Sequence, residues 1–233
     1  MTRSMPVHNR LLEDLPSKAF NKIRNECELV ELRAGDVLYE PDERIREVYF
    51  PTQSVVSLVA KAAVDATLEV ALVSDEGMIG IPLLLGADSK PLRVLVQKSG
   101  NAWRIKAETF KRMTDTQQAL RDALNKYALL RLAQVAQNAI CANAHQIEAR
   151  LARRLLTMLD RSHSDQFPAT QESLANMLGV RRSSVTLVQI SFQQKNLIQY
   201  HRGTLTILDR KGLEALSCEC YRAAQDRHRQ STG

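Results

Sequence analysis

Four consecutive residues, Arg181, Arg182, Ser183 and Ser184, stand at the head of an apolar-periodic stretch whose inner positions are Val185, Val188 and Phe192. That spacing predicts a helix with its polar first turn free to meet a ligand. An arginine at the first turn of a helix lying in the major groove can donate both arms of its guanidinium to O6 and N7 of guanine. Arg182 is the residue assigned to that role. Arg181 is placed to pair with backbone phosphate. Ser183, Ser184 and Thr186 offer short donors and acceptors to phosphate or base edges.

Such a helix needs a rigid partner, and the residues before it supply one. Gln171 to Leu178 reads as a short helix with Leu174, Met177 and Leu178 on one side, and Thr170 is its candidate N-cap after the boundary at Pro168. Thr170 therefore also lies at the edge of the same reading surface. Gly179 falls where a sharp turn between two helices requires a left-handed residue, and Val180 is expected to anchor that turn. Beyond Leu197, the alternation in Ile198 to Tyr200 and Thr204 to Leu208 around His201-Arg202-Gly203 predicts a hairpin with Arg202 at its tip. The whole reads as a helix-turn-helix with a β-wing. The alternative is a ligand- or protein-docking module of the same shape that does not touch DNA.

Charge separates the chain into unlike parts. Residues 1–149 hold 19 Lys+Arg against 19 Asp+Glu, whereas 150–233 hold 13 against 7, so the net +6 lies wholly in the part with the helix-turn-helix. A basic segment gains affinity for nucleic acid through counterion release. Its aromatics, Phe167, Phe192, Tyr200 and Tyr221, fall on core or strand positions, which argues against a stacking platform for single strands. With 44% hydrophobic and 25% charged residues the composition is that of a globular protein with ordinary cores. The chain shows neither a signal-peptide core nor a membrane-spanning run, and a cytoplasmic location is expected. Cys27, Cys141, Cys218 and Cys220 form no CxxC or Cys/His spacing of a zinc site. Cys218 and Cys220 are expected to point apart on one helix, so neither a metal nor a cofactor is expected.

Taken in order, short amphipathic helices are expected in Asn9 to Leu15 and Ser17 to Cys27. Strands follow at Leu29 to Leu32, Val37 to Glu40, Glu47 to Phe50, Val55 to Ala60, Leu68 to Val73, Leu92 to Gln97 and Ala102 to Ile105. Many short strands between Gly- and Pro-containing turns predict an antiparallel β-roll of jelly-roll type. After a short helix ending near Asp115, a helix without Gly or Pro runs from about Gln117 to Asn143. Ala128, Leu132, Val135, Ala139 and Ala142 recur on it at coiled-coil spacing and predict a homodimer seam, while Leu120, Leu124 and Tyr127 are left for the roll. Ile147 to Arg161 is the next helix, Ser162 to Ala169 a polar loop, and Lys211 to about Ala224 a closing helix. The fold class is α+β. Its domains are a β-roll over 1–115, a long dimerisation helix over 116–145 and a winged helix-turn-helix over 146–233.

This order of elements resembles the Crp/Fnr family of bacterial transcription regulators over nearly the whole chain. The carrying residues are Gly35-Asp36, Gly77 to Gly80, and the run Gln171-Glu172-Ser173-Leu174-Ala175 through Gly179-Val180-Arg181-Arg182-Ser183-Ser184-Val185. The resemblance implies a non-enzymatic regulator that binds a pseudo-palindromic site on double-stranded DNA as a homodimer. RNA polymerase and an unidentified small-molecule effector are the further partners it implies, and a membrane is not among them. In family members an arginine at the place of Arg182 reads guanine. A base-reading glutamate usually stands where this chain has Ser183, so the operator does not carry over.

The effector pocket departs further. Cyclic-nucleotide binders carry a Gly-Glu pair for the ribose and, about ten residues later, an Arg-Ser or Arg-Thr pair for the phosphate. Here the first position reads Gly80-Ile81-Pro82 and the second falls near Pro91-Leu92, with Arg93 displaced by two residues, about 7 Å along a strand. A phosphodiester entering an apolar pocket without a cation loses hydration that nothing replaces, so tight binding of cyclic AMP is not expected. Iron–sulfur sensing of the family type needs a thiolate cluster, and Cys27 stands alone in the N-terminal region. No histidine between His8 and His145 offers a haem ligand. His145, His163 and His201 fall in unrelated elements, and no nucleophile triad or phosphate loop is present.

Overall fold

The computed structural model describes residues 8–61, 67–89 and 92–231, the side chains of 227–231 excepted, so Pro91 lies outside it. The chain divides into two compact units, one of residues 1–58 and 72–129, the other of 59–71 and 130–233.

The first unit opens with α1 (Arg10–Glu13) and α2 (Ser17–Asn25). Asn9 ties this entrance down. Its side-chain oxygen caps α1 at Leu12, and its amide donates to the carbonyls of Pro51 at 2.7 Å and Gly77 at 2.9 Å. There follow β1 (Glu28–Leu32), β2 (Val37–Tyr39), β3 (Glu47–Pro51), β4 (Val55–Lys61), β5 (Thr67–Val73), α3 (Ile81–Leu84), β6 (Leu92–Lys98), β7 (Gly100–Lys106) and α4 (Ala107–Thr116). All seven expected strands are present, in two sheets ordered β1-β7-β3 and β2-β6-β4-β5. The pairs β1–β7, β3–β7 and β2–β6 are antiparallel. Gly35, with φ 95°, allows the turn between β1 and β2, and Asp36 closes it by accepting from the Arg33 amide at 2.8 Å. Phe50, Ile23, Ile45, Met78, Ile105 and Phe110 fill the core, each at most 2% exposed. Burying a side chain of that size is worth about 1.5–3 kcal/mol.

The helix α5 (Gln118–Ala144) has 27 residues, about 40 Å at 1.5 Å per residue. Its first half belongs to the roll as expected: Leu120, Leu124 and Tyr127 are buried in that core. The Tyr127 hydroxyl accepts from the Met78 amide and donates to the Met78 carbonyl, and the ring occupies the space a side chain at Gly77 would need. The short α3 was not expected, because Gly80 and Pro82 break the apolar run. It forms because Gly80 (φ 121°) and a proline in the first turn suit a helix start.

In the second unit, α6 (Ile147–Ser162) buries Leu151, Leu155, Leu156 and Met158. The polar loop expected at Ser162 to Ala169 contains a strand, β8 (Gln166–Pro168), which pairs with β10 and buries Phe167. Then come α7 (Gln171–Leu178), α8 (Arg182–Gln194), β9 (Ile198–His201) and β10 (Thr204–Ile207), with the sheet ordered β8-β10-β9. The closing helix is two helices, α9 (Arg210–Leu216) and α10 (Cys220–Ser231). Ser217 leaves helical geometry with ψ 153°. Cys218 therefore lies off both helices, and the expectation that Cys218 and Cys220 share a helix and point apart is corrected.

Candidate nucleic-acid interface

Two devices fix α7. Thr170 and Ser173 form a reciprocal cap: the Thr170 hydroxyl oxygen accepts from the Ser173 amide at 3.0 Å, and the Ser173 hydroxyl oxygen accepts from the Thr170 amide at 2.9 Å. At the other end Gly179 adopts φ 63°, and its amide returns to Asn176 while that of Val180 returns to Ala175. This left-handed cap makes the turn that launches α8. Leu174, Ala175 and Leu178 are buried on α7, with Met177 half-buried.

On α8, Val185, Gln189 and Phe192 form the buried face, and Val188, expected there, is half-buried. The opposite side carries Arg181, Arg182 and Ser183, all exposed, with Ser184 and Thr186 partly exposed. Thr186 spends its hydroxyl proton on the Arg182 carbonyl at 3.1 Å. Arg181 and Arg182 make no ion pair among the described residues. The same face continues through Leu187, 70% exposed, and Ile190, 45% exposed. These two apolar residues were not assigned to the interface, though their i, i+4 and i+7 spacing from Ser183 was the available signal. In the wing, the antiparallel pair β9–β10 turns through Arg202 (φ 47°) and Gly203 (φ 80°), so Arg202 stands exposed at the tip. Thr170 is exposed, but its side chain is committed to the cap.

The buried side of α7 is held within its own unit. Arg154 on α6 forms a buried pair with Glu69 at 2.7 Å and reaches the Met177 sulfur, while Asn138 donates to the Val70 carbonyl at 2.7 Å. Glu69 and Val70 of β5 thus belong to the same compact unit as the helix-turn-helix.

The four residues expected at an effector pocket sit apart from the roll's cleft. Gly80, Ile81 and Pro82 form the start of α3, and Arg93 lies at an exposed position of β6, paired with Glu40 at 3.1 Å. A cleft elsewhere in the roll is lined by Leu38, Tyr39, Glu43, Arg44, Arg46, Glu47 and Tyr49, and contains none of those four. Burial pushes the Tyr39 and Tyr49 hydroxyls well above the ordinary phenol value, and the Glu47 carboxylate adds to the rise.

A second constellation was missed by sequence reading. Cys141 and His145, one turn apart at the end of α5, meet Cys218 and Cys220 in the α9–α10 segment, with all four donor atoms within 4.8 Å of one another. The three cysteines are buried and His145 is half-buried. Burial pushes the Cys218 thiol up to about 12, helped by Cys141 beside it. For Cys141 burial acts in the same direction, but the Arg153 charge and hydrogen bonds from His145 and Arg153 outweigh it and hold that thiol below its ordinary value.

The Crp-like helix-turn-helix domain family matches residues 149–216. Among solved structures, the chain is similar to a transcriptional regulator of the CRP/FNR family from Thermus thermophilus, at 23% identity and TM-score 0.65, with 82% of this chain and 98% of that one covered. It is similar to FixK2 from Bradyrhizobium japonicum at 14% identity and TM-score 0.69, over 82% of this chain and 98% of that one. The c-di-GMP responsive regulator CLP of Xanthomonas campestris matches at 14% identity and TM-score 0.69, over 83% and 100%. No curated protein sequence matches the chain. Residues 149–216 thus match the Crp-like helix-turn-helix domain family, and the chain as a whole has the fold of these solved Crp/Fnr regulators. Among the described residues no helix is long and apolar enough to cross a membrane.

Proposed function

We propose that the chain is a Crp/Fnr-type transcription regulator that binds a pseudo-palindromic duplex site as a homodimer. The observation that carries this reading is the outer face of α8, where Arg181, Arg182 and Ser183 are exposed and no acidic partner occupies either guanidinium among the described residues. Arg182 reads guanine, Arg181 and Arg202 take phosphates, and Leu187 and Ile190 are placed to touch thymine methyl groups. Ser183, Ser184 and Thr186 complete the polar surface, and Thr170 contributes by holding α7 in position.

The dimer forms along the second half of α5. Leu132, Val135 and Ala139 of the expected seam are exposed, whereas Ala128 and Ala142 are half-buried. Leu129, Ala136 and Ile140 are exposed beside them, so Leu129, Leu132, Ala136 and Ala139 recur at intervals of three, four and three residues and make the better seam. A helical pair of this kind sets two α8 helices about 34 Å apart, one turn of DNA.

The effector is not cyclic AMP. Arg93 is engaged with Glu40, and Ile81 rather than a carboxylate follows Gly80. Calorimetric titration with cyclic AMP is expected to give no heat of binding, and micromolar affinity would contradict this. DNA binding itself is tested by selecting sites from a random duplex library. The selected sites should be two-fold symmetric, and affinity should fall linearly in log–log plots against salt. Selection of no site, with indifference to duplex DNA at moderate salt, would favour the docking alternative.

A further inference from the structure

We infer that Cys141, His145, Cys218 and Cys220 form a structural zinc site that fastens the end of α5 to the segment joining α9 and α10. The site lies wholly within the second unit and stands apart from the DNA-binding reading.

The first support is geometric. In a tetrahedral site with Zn–S about 2.3 Å and Zn–N about 2.0–2.1 Å, neighbouring sulfurs lie about 3.8 Å apart, and sulfur to nitrogen about 3.6 Å. Cys141 Sγ and Cys218 Sγ are 3.5 Å apart, and Cys220 Sγ and His145 Nδ1 are 3.7 Å apart. All four donor atoms lie within 4.8 Å of one another, which brings one ion within reach of the whole set after a small inward shift of the wider pairs. An iron–sulfur cluster, whose several irons hold their ligands apart, needs a wider set. Three thiolates and one imidazole make a closed donor set of structural zinc type, with no position left for substrate or water.

The surroundings are those of a ligand shell. With Nδ1 turned inward, His145 offers Nε2 to the Glu219 carboxylate at 3.0 Å, the partner that fixes ring orientation and tautomer in zinc sites. The Gln137 amide donates to Cys220 Sγ at 3.1 Å, and Arg153 lies against Cys141. Three thiolates, a neutral imidazole and a divalent ion leave one negative charge, which Arg153 balances. Simple packing explains buried cysteines, but not an imidazole aimed among them or an amide donor turned onto sulfur. A disulfide would use two of the three thiols and leave His145 without a role.

Binding exchanges protons for metal: the thiols that ionise release up to three protons as three Zn–S bonds and one Zn–N bond form. The consequence is mechanical. α5 ends at Ala144 and α6 begins at Ile147, so the ion ties the last turn before this joint to the closing segment of the winged domain.

The test is the metal content of the full-length protein, purified without a metal-affinity tag. One zinc per chain, retained through dialysis and released when a mercurial modifies the thiols, is expected. Cobalt substituted for zinc should give thiolate charge-transfer bands and the visible bands of a tetrahedral ion. Cys218→Ser and His145→Ala should lose both signals and lower Tm, while Cys27→Ser keeps full zinc. The wild-type stoichiometry carries the test even where a variant folds poorly. Wild-type protein that takes up neither zinc nor cobalt with all its thiols reduced would overturn the site. So would iron and sulfide in equal amounts, or a Cys141–Cys218 disulfide in metal-free protein. None of these readings uses DNA, so a failed metal site and a failed DNA-binding reading remain distinguishable.

Discussion

The roll and the winged domain place their unpaired arginines differently: Arg33, Arg44 and Arg46 of the roll are exposed without an ion pair among the described residues but lie in its turns. Arg181, Arg182 and Arg202 of the winged domain lie instead at the start of one helix and at a hairpin tip. In the roll, Arg10 pairs with Asp75 at 2.7 Å, Arg93 with Glu40 at 3.1 Å, and Arg104 with both Glu28 and Glu47. In the winged domain, Arg154 and Arg210 are paired with Glu69 and Asp160, yet Arg181, Arg182 and Arg202 stand exposed without an ion pair among the described residues. Paired charge positions protein against protein. Charge left unpaired on one face is available to a phosphate backbone, and its location on α8 and the wing tip is what the proposed DNA-reading surface rests on.

The contrast can be broken first at its buried end. Glu69→Ala leaves the Arg154 guanidinium unpaired in a site where both side chains are about a tenth exposed or less, 11% and 7%. A loss of about 3–5 kcal/mol is expected, measured by chemical denaturation. A loss below about 1 kcal/mol would place this pair with the surface ion pairs. Next comes the seam: Leu132→Glu sets a carboxylate between apolar helices and should yield monomers in sedimentation experiments. A surviving dimer would remove α5 as the interface.

Much of this was legible in the sequence because local chemistry and tertiary outcome agree. The seven strands of the roll follow two-residue alternation between Gly and Pro breaks. Thr170, Gly179 and the Arg202-Gly203 turn announced themselves by residue type, since a cap needs a hydroxyl and a positive φ favours glycine. What stayed hidden was either short or non-local. β8 has three residues, too few for periodicity to register, and its pairing with β10 exists only in the folded sheet. The metal-ligand set joins residues 77 apart in the chain. Cys141 and His145 carried a helical i, i+4 signal, but the apparent continuity of 211–224 concealed the break at Ser217 that turns Cys218 and Cys220 toward them. Leu129, Ala136 and Ile140 were passed over because α5 shows two apolar stripes, and only packing decides which one the roll covers.

The smaller predicted effects decide the larger question. Arg182→Ala should cost about 1–3 kcal/mol of affinity for the selected site, whereas Arg93→Ala, which removes an exposed ion pair in the roll, should leave DNA affinity unchanged and stability altered by under about 1 kcal/mol. The most direct measurement is therefore a fluorescence-anisotropy titration of wild type, Arg182→Ala and Arg93→Ala on the selected duplex and on copies altered one base pair at a time. The expected result is weakened binding for Arg182→Ala alone, with preference relaxed at one base pair in each half-site. Equal affinity and equal preference in all three proteins would contradict the assignment of α8 as the helix that reads DNA.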